Sequence, residues 1–255
     1  MRDVLSALDL AGILETAQAE QLKPVLAGIR TDLFLGAKLL REGLGSGGWA
    51  HGESSLLQAA GDVSAGFPAL LESRILPHLP GLKERLEGSG AAFLDIGAGV
   101  AALSVAMARR RPSLHVVAME PWPASAAIAR ARIEAEGLGA RIELRELAGE
   151  EVADDAAFDL VWIPSGFIPQ HAIRTIAVAA ARALRPGGWV LLAALGQSGD
   201  ALNTALTRLR AAQWGGCLFA PGEAEQLLRD SGLTDIRALP TPPGATVAMI
   251  AARKA

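Results

Sequence analysis

Apolar positions follow two different rhythms in this chain, and the rhythm changes near residue 90. Before that point, leucine, valine and isoleucine recur every three or four residues, which is the spacing of amphipathic helices. After it, short apolar runs alternate with helical patterns, as is typical of a parallel sheet covered by helices on both faces. The pattern predicts a helical region over residues 1–88 and an α/β domain over residues 91–255.

The helical region is interrupted by a glycine-rich loop at residues 43–53, which carries Trp49 and His51. Such a run of glycines breaks helical periodicity and predicts a loop. The predicted helices cover residues 55–65, 67–78 and 82–86 and follow amphipathic patterns at 4–14 and 22–34.

The α/β domain is predicted to end in two strands that differ from the rest. Residues 234–239 and 246–253 are joined by a loop too short for a helical crossover, so they should pair antiparallel. The other predicted strands cover residues 91–96, 114–119, 141–146, 158–163 and 189–194. The predicted helices between them cover residues 100–110, 123–136, 171–184, 200–213 and 222–231.

Composition and charge narrow the class of protein. The formal net charge is −3, which disfavours a nucleic-acid partner because such a partner requires a basic face. No apolar run approaches the ~20 residues of a membrane span, and acidic residues among the first 15 disfavour a signal peptide. Cys217 is the single cysteine, so no intramolecular disulfide can form. Together these features predict a cytoplasmic protein that contacts neither nucleic acid nor membrane.

The segment 93–103, Phe-Leu-Asp-Ile-Gly-Ala-Gly-Val-Ala-Ala-Leu, is the most informative part of the sequence. It predicts a buried strand, a tight turn at Gly97 and Gly99, and a helix start, an arrangement that suits a nucleoside ligand. Glu120 ends the next apolar run, and its carboxylate can accept hydrogen bonds from both ribose hydroxyls. The turn also fits a loose dinucleotide fingerprint, so two cofactor classes remain at this point.

Asp95 bears on the choice between these cofactors. It stands two residues before Gly97 in an otherwise apolar strand, where a dinucleotide would place its pyrophosphate. A carboxylate there would repel the phosphates but would attract an ammonium group, such as that of S-adenosylmethionine.

At this point the sequence resembles a class I S-adenosylmethionine-dependent methyltransferase over residues 91–255. Four further segments match that family in order after Leu94–Gly99. They are Val117–Pro121, Phe158–Pro164, Leu184–Leu191 and the terminal antiparallel pair. The resemblance implies a Rossmann-like, doubly wound, mostly parallel sheet with a C-terminal antiparallel hairpin, here preceded by an N-terminal helical cap.

The resemblance also implies a set of cofactor-binding residues. In this family the glycine turn holds the cofactor, the acid after the second strand binds ribose, and the fourth strand ends near the transferred methyl group. The implied residues are Asp95, Gly97, Ala98, Gly99, Glu120, Pro121, Trp122, Leu147, Ala148 and Pro164. One departs from the family pattern, because Ala148 stands where an acidic residue often meets the adenine amino group. Glu150 or a backbone carbonyl is the alternative there.

Candidate residues for the methyl acceptor come from loops near the expected methyl position. Phe167 follows the fourth strand, Trp214 lies in a segment where this family often covers its substrate, and Trp49 lies in the glycine-rich loop. His171 and His51 are the candidate general bases, since histidine titrates in the useful range. The sequence shows no metal-binding cluster.

The sequence therefore predicts an enzyme that methylates an oxygen, nitrogen or carbon of a small-molecule acceptor. The apolar faces of the N-terminal helices predict a cap over the acceptor site and allow a homodimer contact. Two alternatives stay open: a cyclase or regulator with this fold but no methyl transfer, and a nicotinamide-dependent oxidoreductase.

Overall fold

The computed structural model of the protein describes residues 19–43, 52–196, 201–241 and 247–255. Its helices are α1 Ala19–Glu42, α2 Ser54–Ser64, α3 Phe67–Leu70, α4 Leu82–Glu87, α5 Ala102–Arg110, α6 Pro123–Ala135, α7 Ile173–Ala183, α8 Ala201–Trp214 and α9 Glu223–Asp230. Its strands are β1 Ala92–Ile96, β2 His115–Met119, β3 Ile142–Arg145, β4 Phe158–Pro164, β5 Leu184–Gly196, β6 Leu218–Phe219, β7 Thr234–Ala238 and β8 Val247–Arg253. None of the helices in these ranges is long and apolar enough to cross a membrane.

The strands form one mixed sheet in the order β3-β2-β1-β4-β5-β8-β7, with β6 pairing beside the end of β5. Strands β1 to β6 pair in parallel, whereas β8 runs antiparallel to both β5 and β7. The sheet confirms the predicted fold class, including its antiparallel C-terminal pair.

Burial of both sheet faces explains the continuous apolar runs of the central strands. β1, β4 and β5 lie between two hydrophobic clusters, one under α7 and α9 and the other under α5 and α6. Leu94 and Ile96 point into the first cluster, and Phe93 points into the second. Removal of these side chains from water is the main force that holds such a sheet together.

Part of the N-terminal region belongs to the same core as the sheet. After α3 the chain continues as a π-helix over Leu71–Ile75 and a 3₁₀ turn over Leu76–His78. Leu71, Ile75 and Leu79 are almost fully buried in the cluster that includes Phe93 and Trp189. Residues 67–87 are therefore packed as an integral layer of the α/β domain.

A buried carboxylate fastens this layer to the sheet. Asp159, near the start of β4, pairs with Arg85 of α4 at 3.2 Å and with Arg185 of β5 at 2.6 Å. The N–H of Ala92 donates a third bond to it at 3.0 Å. These partners offset the cost of placing a charge in the interior.

Helix α1 stands apart from that core. It packs against α2, with Ala27, Thr31 and Leu35 on its buried side. Its other side exposes Leu26, Leu33 and Leu40, which are seven residues apart and 52%, 69% and 90% exposed.

Candidate functional site

The glycine turn between β1 and α5 is held in a left-handed backbone conformation. Gly97 and Gly99 have φ of +68° and +57°, a region that side chains with a Cβ disfavour. Ala101 adopts the same conformation with φ of +57°. The N–H of Ala98 donates to the carbonyl of Met119 at 2.8 Å, which ties the turn to the end of β2. A Cβ added to Gly99 would meet no protein atom within 4 Å, so open space adjoins the turn.

Glu120, the residue predicted to bind ribose, lies directly beside this turn. Its Oε2 accepts the N–H of Gly99 and its Oε1 accepts the N–H of Trp122, both at 2.8 Å. Burial raises the pKa of Glu120, while these two backbone bonds act in the opposite direction. Each oxygen retains a second lone pair. The carboxylate can therefore accept two hydroxyl groups without releasing the turn.

Asp95 lies beneath the turn with only 1% of its surface exposed. The hydroxyl of Ser104, in α5, donates to its Oδ2 at 2.5 Å. Burial raises the pKa of Asp95 to about 7, the Ser104 bond lowers it, and the charge of Glu120 raises it. Ser104 was not among the predicted site residues, although a serine in the first turn of an apolar helix could have indicated this contact.

Apolar groups flank the turn at the carboxyl ends of the neighbouring strands. Pro164 ends β4, and its Cγ lies 3.6 Å from where a Cβ on Gly97 would stand. Trp122 and Leu147 follow β2 and β3, and each is 39% exposed. Pro121 is exposed between Glu120 and Trp122. These positions could cover the two faces of a planar base.

Glu151, which was not among the predicted site residues, fixes the backbone of the segment after β3. Glu151 accepts the N–H of Ala148 at 2.8 Å, and Glu150 is exposed in the same 3₁₀ turn, Gly149–Glu151. Gly149 is packed against Ile96, since a Cβ there would lie 2.7 Å from Ile96 Cγ2. The turn is thus fixed close to the end of β1.

Two aromatic residues predicted for the acceptor lie against each other. The rings of Phe167 and Trp214 are stacked, with centroids 4.7 Å apart and planes 16° apart. Phe167 is in the 3₁₀ turn Ser165–Phe167 after β4, and Trp214 ends α8. Sequence positions 47 residues apart thus form one aromatic pair at the carboxyl edge of the sheet.

The N-terminal region reaches the glycine turn through α2. Leu57 packs with Val100 and Ala102 in a small buried cluster that also touches α6. A Cβ on Gly61 would lie 2.2 Å from Val100 Cγ2, so the α2 backbone is in direct contact with the turn. Periodicity alone gave no signal for this contact.

Of the two histidines predicted as general bases, only His171 lies within the described residues. His171 is exposed in the turn before α7, which begins at Ile173, so it does not begin the helix as expected. His51 and Trp49 lie outside the described residues. Within the described ranges, no cluster of three or more His, Cys, Asp or Glu side chains is arranged to hold a metal.

A groove elsewhere on the surface does not belong to this site. It is lined by residues of the α3–α4 segment, among them Glu72 and Lys83, and by Arg110 and Arg111 at the end of α5. These positions precede β2, at the amino edge of the sheet, whereas the glycine turn is at the carboxyl edge.

One protein family and two curated relatives match the part of the chain that contains this site. The family described as "Methyltransferase domain" matches residues 93–188, from β1 into β5. Two release factor glutamine methyltransferases resemble part of the chain. That of Geobacter sulfurreducens is 34% identical over 128 residues, which is 40% of this chain and 44% of the relative. That of Cereibacter sphaeroides is 31% identical over 142 residues, which is 46% and 51%. The chain thus matches about half the length of these relatives.

Solved structures resemble a larger share of the chain at lower identity. An O-methyltransferase family protein from Burkholderia thailandensis has a TM-score of 0.61 at 18% identity, over 94% of this chain and 74% of that one. Human N-acetylserotonin methyltransferase in complex with SAM has a TM-score of 0.59 at 19% identity, over 88% and 66%. At these identities the likeness shows a shared fold.

Proposed function

We infer that this chain, which carries a methyltransferase domain and the fold of class I S-adenosylmethionine-dependent methyltransferases, transfers a methyl group from S-adenosylmethionine to a small-molecule acceptor. The single observation that carries this inference is the buried Glu120 carboxylate, 2.8 Å from the N–H of Gly99 at the open side of the turn. A nucleoside ribose fits that arrangement, since it offers two adjacent hydroxyl donors.

The residues around the turn fit the whole cofactor. Glu120 would hold the ribose, and the exposed apolar surfaces of Trp122 and Leu147 would flank the adenine. Gly97 and Ala98 would lie beside the methionine part, with Asp95 beneath them. A dinucleotide fits less well, because its pyrophosphate would lie above Asp95 and would be repelled by the ionised form of that carboxyl group.

The cofactor, when bound, supplies a methyl group on a sulfonium; the acceptor lone pair bonds to the methyl carbon as the carbon–sulfur bond breaks, which leaves S-adenosylhomocysteine. This chain then has to align the acceptor and exclude water, and such positioning provides much of the rate. The rigid end of β4 at Pro164 is placed to do this. His171 lies seven residues after Pro164 in the sequence. It is the candidate general base for acceptors that must lose a proton when they are methylated.

The acceptor site is proposed to lie between the β4–α7 loop, the end of α8 and the helical cap. Arg210 of α8 pairs with Asp32 of α1 at 3.3 Å, so the two elements lie together.

The release factor relatives raise a protein glutamine as a second acceptor class. The exposed leucine stripe of α1 supports a contact between two copies of this chain, which light scattering after size exclusion would detect.

The test is binding first and transfer second. Titration calorimetry should show binding of S-adenosylhomocysteine and no binding of NAD. Labelled S-adenosylmethionine should then pass its methyl group to a component of a metabolite extract, read by mass spectrometry. Binding without any transfer, to metabolites or to release factor peptides, would favour a regulator with this fold. Binding of NAD alone would refute the proposal.

A further inference from the structure

The loop after β4 is held to its neighbours by several hydrogen bonds. Ser165 is fully buried; its hydroxyl donates to the carbonyl of Ala193 at 2.7 Å, and its own carbonyl accepts the N–H of Cys217 at 2.9 Å. The thiol of Cys217 donates to the carbonyl of Ile168 at 3.1 Å. Three bonds therefore fasten the β4–α7 loop to β5 and to the segment after α8.

The backbones of the two segments also touch without intervening side chains. A Cβ on Gly216 would lie 1.9 Å from the carbonyl oxygen of Gly166, and one on Gly166 would lie 3.2 Å from Cε3 of Trp214. Only glycine allows this approach. The crossing fixes where Phe167 and Trp214 stand, so their stacked geometry is set by the backbone.

The two segments that carry this ring pair contain no charged side chain; the nearest charge on α8 is Arg210, one turn before Trp214, which pairs with Asp32 at 3.3 Å. Residues 164–170 read Pro-Ser-Gly-Phe-Ile-Pro-Gln, and residues 211–222 read Ala-Ala-Gln-Trp-Gly-Gly-Cys-Leu-Phe-Ala-Pro-Gly. Neither segment contains an acidic or basic side chain. A charged acceptor would lose its hydration here without gaining an ion-pair partner from either segment.

The ring pair is still accessible from outside. Phe167 is 37% exposed, which is a large fraction for an aromatic residue on a rigid loop. It follows Pro164 by three residues, and Pro164 lies against Gly97 of the cofactor turn. A ligand resting on Phe167 would thus be close to the place where the methyl group is expected.

We propose that the Phe167–Trp214 pair is a fixed stacking platform that selects a planar, uncharged ring as the methyl acceptor. This inference rests on the proposed function and names its substrate class. Aromatic rings stack favourably in offset parallel geometry, and a rigid platform loses little entropy when it binds. A flexible glutamine side chain offers no ring to stack, so the platform favours a small molecule over a protein glutamine.

The test uses three probes that differ in one property each. They are 2-naphthol, which is planar and neutral; decahydro-2-naphthol, which is not planar; and 2-naphthoate, which is planar and anionic. Each is titrated by calorimetry into the 255-residue chain saturated with S-adenosylhomocysteine. The wild-type protein should bind 2-naphthol about tenfold more tightly than either of the others, the scale of one ring-stacking interaction.

Variants tie the preference to the platform. Phe167→Ala should lose about tenfold in 2-naphthol affinity, and Phe167→Leu should lose the preference for the planar probe while it keeps general apolar binding. Val178→Ala removes an apolar side chain that is 50% exposed on α7, and it should change nothing. Thermal unfolding of each variant checks that the fold is retained.

The outcomes separate this inference from the proposed function. If the protein does not bind S-adenosylhomocysteine, the proposed function fails. If it binds S-adenosylhomocysteine but all three probes bind alike, or Phe167→Ala keeps full affinity for 2-naphthol, the platform is overturned and the proposed function stands. Binding of a glutamine peptide with no binding of 2-naphthol would likewise overturn the platform.

Discussion

Gly61 and Val100 are so close that a single carbon added to Gly61 would lie 2.2 Å from Cγ2 of Val100. Gly61 belongs to α2 of the N-terminal region, and Val100 follows the glycine turn of the proposed cofactor site. Real Cβ contacts essentially never come this close, so either the Val100 side chain or the α2 backbone must shift if the carbon is added. The helical region and the cofactor turn are thus mechanically coupled.

We expect Gly61→Ala to destabilise the protein by about 1–3 kcal/mol, the usual cost of overpacking. It should also weaken S-adenosylhomocysteine binding, because Val100 transmits the shift to the turn. Gly28→Ala is the matched control: Gly28 also lies within a helix, but a Cβ there meets nothing within 4 Å. Alanine is favoured over glycine in helices by about 1 kcal/mol, so the control should gain stability. Denaturant unfolding and calorimetry measure both effects, and equal signs for the two variants would contradict the coupling.

Glu120→Ala should weaken S-adenosylhomocysteine binding by roughly 1–3 kcal/mol, the range for hydrogen bonds to a charged group. The variant also leaves the N–H groups of Gly99 and Trp122 without their acceptor. Glu120→Gln keeps an acceptor oxygen and should lose less. Calorimetry gives the affinities, and unfolding curves separate loss of binding from loss of fold. Unchanged affinity in the alanine variant would mean that the ribose is held elsewhere.

The cost of a side chain at Gly97 should come from the backbone. A Cβ there would meet Pro164 at 3.6 Å, an ordinary contact, whereas φ of +68° disfavours any L-residue with a side chain. Gly97→Ala should therefore destabilise the protein by about 1–2 kcal/mol. Gly97→Val should additionally abolish cofactor binding, since its branches extend toward the site. Gly139→Ala, where a Cβ meets open space and φ is not positive, is the control. A stable Gly97→Val variant that binds S-adenosylhomocysteine normally would displace the site from this turn.

A structural element could be predicted from the sequence where interactions between residues close together in the chain define it, and not where distant residues do. β1, β2 and β4 were predicted to within a residue at each end because local apolar runs define them. β5 begins at Leu184 instead of residue 189, because Leu184 pairs with Phe158 of β4. The two-residue β6 exists through its pairing with Leu195 and was not predicted.

The predicted helix over residues 67–78 is instead α-helix, then π-helix, then a 3₁₀ turn. Pro77 has no N–H to continue the α-helical bonds, and tight packing of Leu71 and Ile75 fixes the side chains across the change. Gly97 and Gly99 belong to one contiguous segment and Glu120 ends the next predicted strand, so sequence alone could name these three candidate cofactor residues. The partners Ser104 and Gly61 are defined by three-dimensional packing and could not be inferred in the same way.

The contribution of Asp95 to the free energy of unfolding should fall as pH rises from about 4 to about 7. Burial raises the pKa of Asp95 from its ordinary 3.8 to about 7, so in this window the folded protein holds a proton that the unfolded chain has released. Because the folded state holds this extra proton, the Asp95 contribution decreases with pH, by roughly 4 kcal/mol across the window. Burial also raises the pKa of Glu120, which adds in the same direction. Glu72 and Asp235, whose pKa values are lowered by their arginine partners, act in the opposite direction.

Asp95→Asn removes this contribution, so the free energy of unfolding of the variant should fall less with rising pH than that of the wild-type protein. Urea unfolding at pH 4, 5.5, 7 and 8 tests the prediction. The variant should gain most on the wild-type protein at pH 8, where the wild-type carboxylate is charged. A slope identical in the two proteins would show that Asp95 ionises in solvent-like surroundings.

Substitutions of Leu79 and Leu40 test which part of the N-terminal region belongs to the core of the α/β domain. Leu79, in the segment after α3, is 1% exposed and packs in the cluster beneath β1 and β5, whereas Leu40 of α1 is 90% exposed. Leu79→Ala should cost about 2–5 kcal/mol, as for other leucines in well-packed cores. Leu40→Ala should leave the free energy of unfolding almost unchanged, because a leucine in water contributes little to folding. The same pair separates the two roles assigned to the region, since Leu40→Ala should instead weaken any contact between two copies, measured by light scattering. If Leu79→Ala were as mild as Leu40→Ala, the helices before residue 88 would form a cap independent of the α/β core.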